Sequence, residues 1–373
     1  MKAGILISLL ATTSSTIAQA GEGIEWTPIE TTRRWTAVAG SSDGQRLVAS
    51  VWESTLYRST DGGLSWNPVG KSKSWNDVAS SADGMRLVAV AYQNRLFTSD
   101  DGGDEWTPRD QDRQWHHVAC STDGMRLVAS VWGGQLYTSA DAGENWTPRE
   151  TARNWDWVAC SGDGTVMMAA VYGGELFRST NAGEEWAPCE QARDWGAVAM
   201  SPDGKHWVAG VDGGAIYCSE DGGTTWQVRG ANRAWTALAV SADGQRLVAA
   251  ARSGALYSSN DAGATWTPSE EPRVWYSLAM SADTTQVFAV AWEGQIYAGL
   301  WAPALRVARG PSGTAVISWL APAKGWQLES SSGLGTGSDW TELSPPYGDD
   351  ETYNQVSRPA ASGREFFRLR SAE

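Results

Sequence analysis

Tryptophan recurs in this sequence with a period of forty residues. One series contains seven tryptophans at this spacing: Trp35, Trp75, Trp115, Trp155, Trp195, Trp235 and Trp275. A second series has the same spacing: Trp26, Trp66, Trp106, Trp146, Trp186, Trp226 and Trp266. A fixed period of this length is typical of repeat architectures, in which neighbouring units stack to bury a shared core. The chain is therefore expected to be built from one repeating unit.

Each repeat contains four short segments with strand character. In the first repeat these are WTAVAG, RLVASV, TLYRS and SWNPV. RLVASV is a nearly continuous apolar run, as expected for a strand covered on both faces, and the turn signal SSDGQ precedes it. Four strands per repeat and seven repeats predict an all-β fold, a seven-bladed β-propeller.

The two ends of the repeat series are incomplete in complementary ways. The N-terminal segment GIEWTPI resembles a fourth strand, whereas the seventh repeat ends at QIYAGLWAP without one. We expect the N-terminal strand to complete the blade that begins at Trp275, because this closure removes open sheet edges. The propeller is thus predicted over residues 21–301. Short alternating segments over residues 302–373 predict a small β-sandwich of the fibronectin-III type.

Residues 1–20 have the pattern of a secretory signal peptide. Lys2 supplies the charged region, residues 4–11 the apolar region, and Ala18-Gln19-Ala20 a cleavage site of small residues. We therefore expect a secreted or periplasmic protein that is cleaved near Ala20. No later run is long and apolar enough for a membrane span. The formal net charge of −14 argues against nucleic acid as a partner, because an acidic surface repels phosphate.

Cysteine and histidine spacing predicts no metal site and no cofactor. The four cysteines, Cys120, Cys160, Cys189 and Cys218, form no CxxC motif. Cys120 and Cys160 occupy equivalent repeat positions and are expected to be buried thiols. His116 and His117 are adjacent on one predicted strand, so we expect their side chains to point to opposite faces and to clamp a metal poorly.

A second motif, S-x-D-x-G-x-x-W, lies between the third and fourth segments of six repeats. In YTSADAGENWTP it consists of Ser139, Asp141, Gly143 and Trp146. The acid accepts backbone N–H bonds across a turn, and the glycine adopts positive φ without steric cost. The acid position is filled by Asp61, Asp101, Asp141, Asn181, Asp221 and Asp261. Six copies, one of them neutral, indicate a structural turn and not a catalytic carboxylate.

This motif, together with WxxVAxSxDG, resembles the Asp-box (BNR) propellers of the sialidase superfamily. Within them the chain is most similar to propellers of the photosystem II stability/assembly factor type, and it also resembles sortilin-like and xyloglucanase-like propellers. The resemblance covers about residues 21–301 and implies the propeller fold. The assembly-factor type implies an arginine patch on one face for a protein partner. The same repeats carry enzymes, receptors and assembly factors, so the resemblance does not by itself specify a function.

The sequence lacks the motifs of the enzymes in this superfamily. A sialidase would imply an F/Y-R-I-P segment, which is absent. A glycosidase needs two carboxylates about 5–10 Å apart across the scissile bond. Asp77, Asp156 and Asp212 are candidates, but no spacing marks two of them as a pair. No GxSxG, HExxH or P-loop motif is present. The chain is therefore predicted not to be an enzyme.

One cation precedes each framework tryptophan by two residues. The seven cations are Arg33, Lys73, Arg113, Arg153, Arg193, Arg233 and Arg273. Strand alternation places them on one face, opposite the Asp-box turns. Glu30, Asp110, Glu150, Glu190 and Glu270 stand three residues earlier in five repeats, so each cation either binds a ligand or stiffens its own loop by an ion pair or by stacking on tryptophan. Lys73 and Arg233, which lack the acid, are expected to be the freest.

Aromatic residues fill most of the turns between the second and third segments. They are Trp52, Tyr92, Trp132, Tyr172 and Trp292, and Asp212 and Arg252 interrupt the series. Exposed aromatics beside hydrogen-bonding groups suit sugar rings or peptide anchors. The alternative is that they pack against the neighbouring blade.

These observations predict an exported, non-enzymatic binding or assembly propeller that recognises an acidic partner or ligand through its ring of cations. The first alternative is a carbohydrate-binding, lectin-like propeller that uses the aromatics. The second is a glycoside hydrolase of sialidase or xyloglucanase type. The predicted partner is a protein or glycan, and the sequence does not specify an oligomeric state.

Overall fold

The computed structural model describes residues 7–9, 24–301, 306–309, 314–320, 326–331, 339–343, 348–349, 353–359 and 365–371. All regular secondary structure in this part of the chain is β-strand, as predicted. None of it forms a helix that could cross a membrane. The chain divides into two compact units, Glu25–Leu300 and a second unit that combines Met1–Ile24 with Trp301–Glu373.

The strands of the repeats change in length along the chain. Strand β1, Ile7–Leu9, precedes the repeats. The first strands of the repeats are β2 Ile24–Pro28, β3 Trp35–Gly40, β4 Leu47–Val51, β5 Ser54–Ser59, β6 Asn67–Lys73, β7 Trp75–Ser80, β8 Leu87–Ala91, β9 Asn94–Ser99, β10 Thr107–Arg113 and β11 Trp115–Cys120. Then follow β12 Leu127–Ser139, β13 Thr147–Cys160, β14 Met167–Ser179, β15 Ala187–Met200, β16 Trp207–Ser219, β17 Gln227–Val240, β18 Leu247–Ser259, β19 Thr267–Met280, β20 Gln286–Ala291 and β21 Ile296–Trp301.

Each framework tryptophan starts the first strand of a four-stranded antiparallel unit. It lies opposite the end of the second strand in every repeat: Trp35↔Val51, Trp75↔Ala91, Trp115↔Val131, Trp155↔Val171, Trp195↔Val211, Trp235↔Ala251 and Trp275↔Ala291. The first repeat has the sheet order β3-β4-β5-β6. Strands β13, β15, β17 and β19 each join the fourth strand of one repeat to the first strand of the next, and β12, β14, β16 and β18 each join the second and third strands of one repeat.

The ring closes between the last repeat and the first. Strand β2 is the sheet neighbour of β21, which confirms that the N-terminal strand completes the last blade. Backbone hydrogen bonds also join the turns of successive repeats: Ser42 N to Ala82 O, Ala82 N to Thr122 O, Thr122 N to Gly162 O, Gly162 N to Pro202 O, and Ala282 N back to Ser42 O. The N–H that residue 202 would donate to its neighbour is missing because that residue is proline.

The core of each repeat is built around its framework tryptophan. Trp35 is completely buried and makes an edge-to-face contact with Tyr57, with 5.4 Å between the ring centroids. The ring of Trp66 lies at a tilt to Trp35, with 6.3 Å between their centroids. Edge-to-face pairs of this kind contribute about 0.5–1.5 kcal/mol beyond the area that they bury. Framework tryptophans in the other repeats are also buried. The period of forty in the sequence is thus the period of the core.

Each Asp-box position closes a turn with its own side chain. Asp61 Oδ1 accepts hydrogen bonds from Ser59 Oγ at 2.7 Å and from the Ser65 backbone N–H at 2.9 Å. Gly63 has φ of 89°, donates its N–H to Ser59 Oγ, and accepts the indole N–H of Trp66. Equivalent serine and backbone bonds reach Asp101, Asp141, Asn181, Asp221 and Asp261.

The second unit contains two four-stranded antiparallel sheets. Its remaining strands are β22 Arg306–Arg309, β23 Thr314–Leu320, β24 Trp326–Ser331, β25 Thr341–Glu342, β26 Gly348–Asp349, β27 Tyr353–Pro359 and β28 Glu365–Ser371. The sheet orders are β1-β28-β24-β25 and β22-β23-β27-β26. Trp319, Leu328 and Phe367 are buried. Strand β1, within the predicted signal peptide, pairs with β28; the other residues of that segment, including the cleavage site, lie outside the described residues.

Candidate functional site

The seven cations and the seven connections between second and third strands lie along the same edge of their sheets. Each cation is the register partner of a residue at or just after such a connection: Arg33↔Gly294, Lys73↔Ser54, Arg113↔Asn94, Arg153↔Gly134, Arg193↔Gly174, Arg233↔Gly214 and Arg273↔Gly254. We call these cations and the side chains at turn positions 52, 92, 132, 172, 212, 252 and 292 the cation face.

Each cation lies over an aromatic ring of the third strand, twenty-four residues later in the chain. The pairs are Arg33–Tyr57, Lys73–Phe97, Arg113–Tyr137, Arg153–Phe177, Arg193–Tyr217, Arg233–Tyr257 and Arg273–Tyr297, with centroid distances of 4.3–4.9 Å. The sequence predicted stacking on tryptophan. Trp35 does lie near Arg33, but at 5.9 Å, so the third-strand ring is the closer partner. One side of every cation is therefore engaged within its own repeat.

The loop acids pair with some of the cations. Glu30 lies 3.7 Å from Arg33, Asp110 2.9 Å from Arg113, and Glu190 3.6 Å from Arg193. Arg153 and Arg233, in contrast, are exposed.

Lys73 is less free than the sequence suggested. It is half-buried, because its ammonium packs on Phe97 and donates to Asn94 Oδ1 at 3.3 Å. Of the seven cations that precede the framework tryptophans, the most accessible are therefore Arg153 and Arg233.

The turn side chains associate in pairs across neighbouring repeats. Trp52 contacts Tyr92 at 6.1 Å and Trp132 contacts Tyr172 at 5.6 Å, both between ring centroids. Asp212 and Arg252, the two exceptions to the aromatic series, form an ion pair at 3.6 Å.

The seventh turn side chain, Trp292, stacks on Tyr276 at 5.2 Å and lies near the Arg34 guanidinium. The aromatics thus do contact their neighbours, yet Tyr92, Tyr172 and Tyr276 remain 37%, 48% and 40% exposed.

Two adjacent histidines come together with two carboxylates beside Trp132. The prediction that His116 and His117 point to opposite faces is wrong, because their ring centroids are 4.8 Å apart and both rings reach Asp156. The pairing of β11 with β12 is irregular between Trp115 and Val118, so the two histidines lie outside the regular ladder, where strict alternation no longer holds. The pairing of β13 with β14 is irregular at the same place, which positions Asp156.

The carboxylates lie on either side of the half-buried ring of His117. Asp77 Oδ2 lies 3.1 Å from Nδ1 of His117 and also accepts the Val118 N–H, while Asp156 Oδ1 lies 3.6 Å from Nε2. Burial alone would lower the pKa of His117. The hydrogen bond to Asp77 and the charges of Asp77 and Asp156 outweigh burial, so the pKa of His117 is raised. Two of the three glycosidase candidates are thus brought to one place, whereas Asp212 pairs with Arg252.

The four cysteines are free thiols and form no disulfide. Burial raises the pKa of Cys120, Cys189 and Cys218 to about 12 and raises that of Cys160 as well. Thiols with such pKa values are poor nucleophiles, because the reactive thiolate is scarce at neutral pH.

The comparisons with solved structures agree with this architecture. A structure of YCF48 bound to D1 peptide superimposes with a TM-score of 0.60 at 19% identity, covering 74% of this chain and 96% of that one. YCF48 from Cyanidioschyzon merolae gives a TM-score of 0.60 at 15% identity, covering 74% and 98%. The fold is that of a YCF48-type β-propeller.

An enzyme has the same fold. The GH74 xyloglucanase from Xanthomonas campestris gives a TM-score of 0.61 at 17% identity, with 80% of this chain covering 59% of that one. No protein-family model and no curated protein sequence matches this chain. At these identities the structural likeness shows the fold alone, so the function must be argued from the site.

Proposed function

We propose that this chain is an exported, non-enzymatic binding propeller that recognises an acidic segment of a protein partner through its cation face. The observation that carries the proposal is the exposure of large aromatic rings on that face. Tyr92 and Tyr172 of that face, and Tyr276, which stacks on its Trp292, are three of the five large apolar side chains that are exposed among the described residues. Exposed apolar side chains that cluster on one face are typical of interaction sites.

The charges of the face support an acidic ligand. Arg153 and Arg233 are exposed while one side of each guanidinium rests on Phe177 or Tyr257. A guanidinium held in this way keeps its outer N–H groups available for a carboxylate and loses little side-chain entropy on binding. The aromatic pairs would then contact the apolar parts of the same ligand. The solved structure of YCF48 bound to D1 peptide, which has a similar fold, supports a peptide as the ligand.

Export is supported by the sequence alone. Lys2, the apolar residues 4–11 and the small residues that end at Ala20 form the order that a signal peptidase recognises. We propose that the mature protein begins near Gly21 and acts in a secreted or periplasmic location.

A screen on an array of acidic peptides, acidic glycans and neutral glycans tests the proposal, with the full chain applied at low and at moderate salt. We expect binding to acidic peptides that weakens with salt. Arg233→Ala should weaken this binding, whereas Lys205→Ala should leave it unchanged, because Lys205 is an exposed cation beside Asp203 in a turn on the opposite edge. Salt-insensitive binding to neutral glycans would overturn the proposal in favour of a lectin.

A glycoside hydrolase is the second candidate, because Asp77 and Asp156 lie on either side of His117 and a xyloglucanase shares the fold. Retaining and inverting glycosidases both need two carboxylates around the scissile bond. Turnover of xyloglucan or of a chromogenic glycoside that is lost in Asp77→Asn and in Asp156→Asn would establish this candidate. We expect no turnover.

A further inference from the structure

We propose that His116, His117 and Asp156 bind a divalent transition metal ion of the zinc class. The three side chains each offer one ligand atom, and these atoms lie within 4.8 Å of one another. His116 Nδ1 is 2.8 Å and His117 Nε2 is 3.6 Å from Asp156 Oδ1. Ligand atoms around a tetrahedral ion with bonds of about 2.0–2.1 Å are separated by about 3.3 Å, so small rotations of these side chains would complete the site.

The hydrogen bonding of Asp156 and His116 points to a missing partner. Asp156 is 8% exposed, and its Oδ1 is buried without a hydrogen-bond partner among the described residues. His116 Nδ1 is also buried without a hydrogen-bond partner, and it lies 2.8 Å from Asp156 Oδ1. Two buried acceptor atoms that converge in this way are costly unless a proton or a metal ion joins them.

The neighbours of His117 fix the orientation of its ring in a way that suits a metal ligand. Its Nδ1 lies 3.1 Å from Asp77 Oδ2, and in the neutral tautomer that donates a hydrogen bond from Nδ1 the Nε2 lone pair is free for the ion. Asp77 is itself fixed by the N–H groups of Val78 and Val118. A carboxylate behind a ligating histidine is the usual support of zinc sites. Trp157 stacks on the His117 ring at 3.7 Å and sets its plane.

The ligand types select the class of metal. Two imidazoles and one carboxylate suit zinc and neighbouring divalent ions, whereas calcium and magnesium prefer oxygen ligands. Three protein ligands leave a fourth position for water or for a ligand atom. The His116 side chain is 31% exposed, so this position is reachable from solvent, next to Trp132 of the cation face at 5.4 Å. The metal proposal does not depend on the peptide-binding proposal.

Metal titration of the untagged full chain tests the site after dialysis against a chelator. We expect one equivalent of Co²⁺ to bind, to give the visible d–d bands of a four-coordinate ion, and to be displaced by Zn²⁺. Asp156→Asn and His116→Gln should each abolish stoichiometric binding, and Asp77→Asn should weaken it about 10- to 100-fold. The control is His206→Gln, since the chain has three histidines and His206 lies outside the cluster.

Three results would overturn the proposal: no stoichiometric binding, binding that persists in His116→Gln, or loss of binding in His206→Gln. Thiolate-to-cobalt charge-transfer bands would also contradict it, because they would assign the ion to cysteine. A thermal melt of each variant shows whether it is folded. If Asp156→Asn fails to fold, His116→Gln decides the question, because its side chain is partly exposed.

Discussion

The guanidinium of Arg233 lies over the ring of Tyr257, 4.5 Å from its centroid, and the same two positions pair in every repeat. The ring of cations is therefore part of the framework as well as a charged surface. Any ligand of the cation face meets guanidiniums that are already oriented by the fold. Substitutions of these cations are thus expected to change both stability and binding, and each needs a control that separates the two effects.

Arg233→Ala should destabilise the propeller by about 0.5–1 kcal/mol, because it removes a cation–π contact at an exposed site. Arg233→Lys should restore part of this stability, since a lysine still places a charge over Tyr257. Unfolding in urea, followed by tryptophan fluorescence, measures the change. Lys205→Ala is the control and should stay within about 0.5 kcal/mol of the parent chain. Equal effects of Arg233→Ala and Lys205→Ala would contradict the stacking account.

Acid should destabilise the propeller through the Asp-box turns. Hydrogen bonds from Ser65 and Ser59 lower the pKa of Asp61 to about 2, and bonds from Thr225 lower that of Asp221 to about 2. A folded-state pKa below the ordinary 3.8 means that the stabilisation is complete above about pH 4 and is lost as the pH falls through about 2. The melting temperature should decline across this window, and less steeply in Asp61→Asn/Asp221→Asn. An unchanged slope in that variant would exclude these turns as the cause.

The thiols should be unreactive in the folded protein. Burial raises the pKa of Cys120, Cys189 and Cys218 to about 12 and that of Cys160 as well, so little thiolate is present at neutral pH. Ellman's reagent should detect almost no thiol in the native chain and four in denaturant without reductant. Fewer than four in denaturant would reveal a disulfide and contradict this prediction.

Expression in an exporting bacterial host should yield a chain that begins at Gly21. The small residues at Ala18 and Ala20 predict cleavage at this position. Intact-mass measurement of the exported protein decides the matter. A chain that keeps residues 1–20 would contradict the signal peptide and would retain strand β1, which pairs with β28.

The repeat period made the propeller predictable, because Trp35 and its equivalents are the buried centres of the repeats and their spacing is visible in the sequence. Closure by the N-terminal strand was also predictable, because the last repeat lacks a fourth strand and the N-terminal segment supplies a single strand outside any complete repeat. The third-strand aromatic rings were not predicted as the stacking partners of the cations. The sequence does contain this information, because each cation is followed by an aromatic residue twenty-four positions later.

The histidine site was not predictable from alternation. His116 and His117 occupy a stretch where the β11–β12 pairing is irregular, and a sequence pattern with period two assumes a regular ladder. The contact with Asp156 joins residues forty positions apart in neighbouring repeats. His116 and Asp156 occupy the same position of neighbouring repeats, so the repeat alignment predicts that these two side chains are close. The approach of His117 to the same carboxylate depends on the irregular pairing of β11 with β12, which the sequence does not reveal.

The most direct test of the cation face is the dissociation constant of an acidic peptide, measured by tryptophan fluorescence for the parent chain and two matched variants. Tyr172→Ala should weaken binding about tenfold or more, because it truncates an exposed aromatic anchor of the face. Leu64→Ala truncates an 85% exposed apolar side chain in an Asp-box turn and should leave the constant unchanged. Equal affinity of all three chains, or loss in Leu64→Ala alone, would contradict recognition through the cation face.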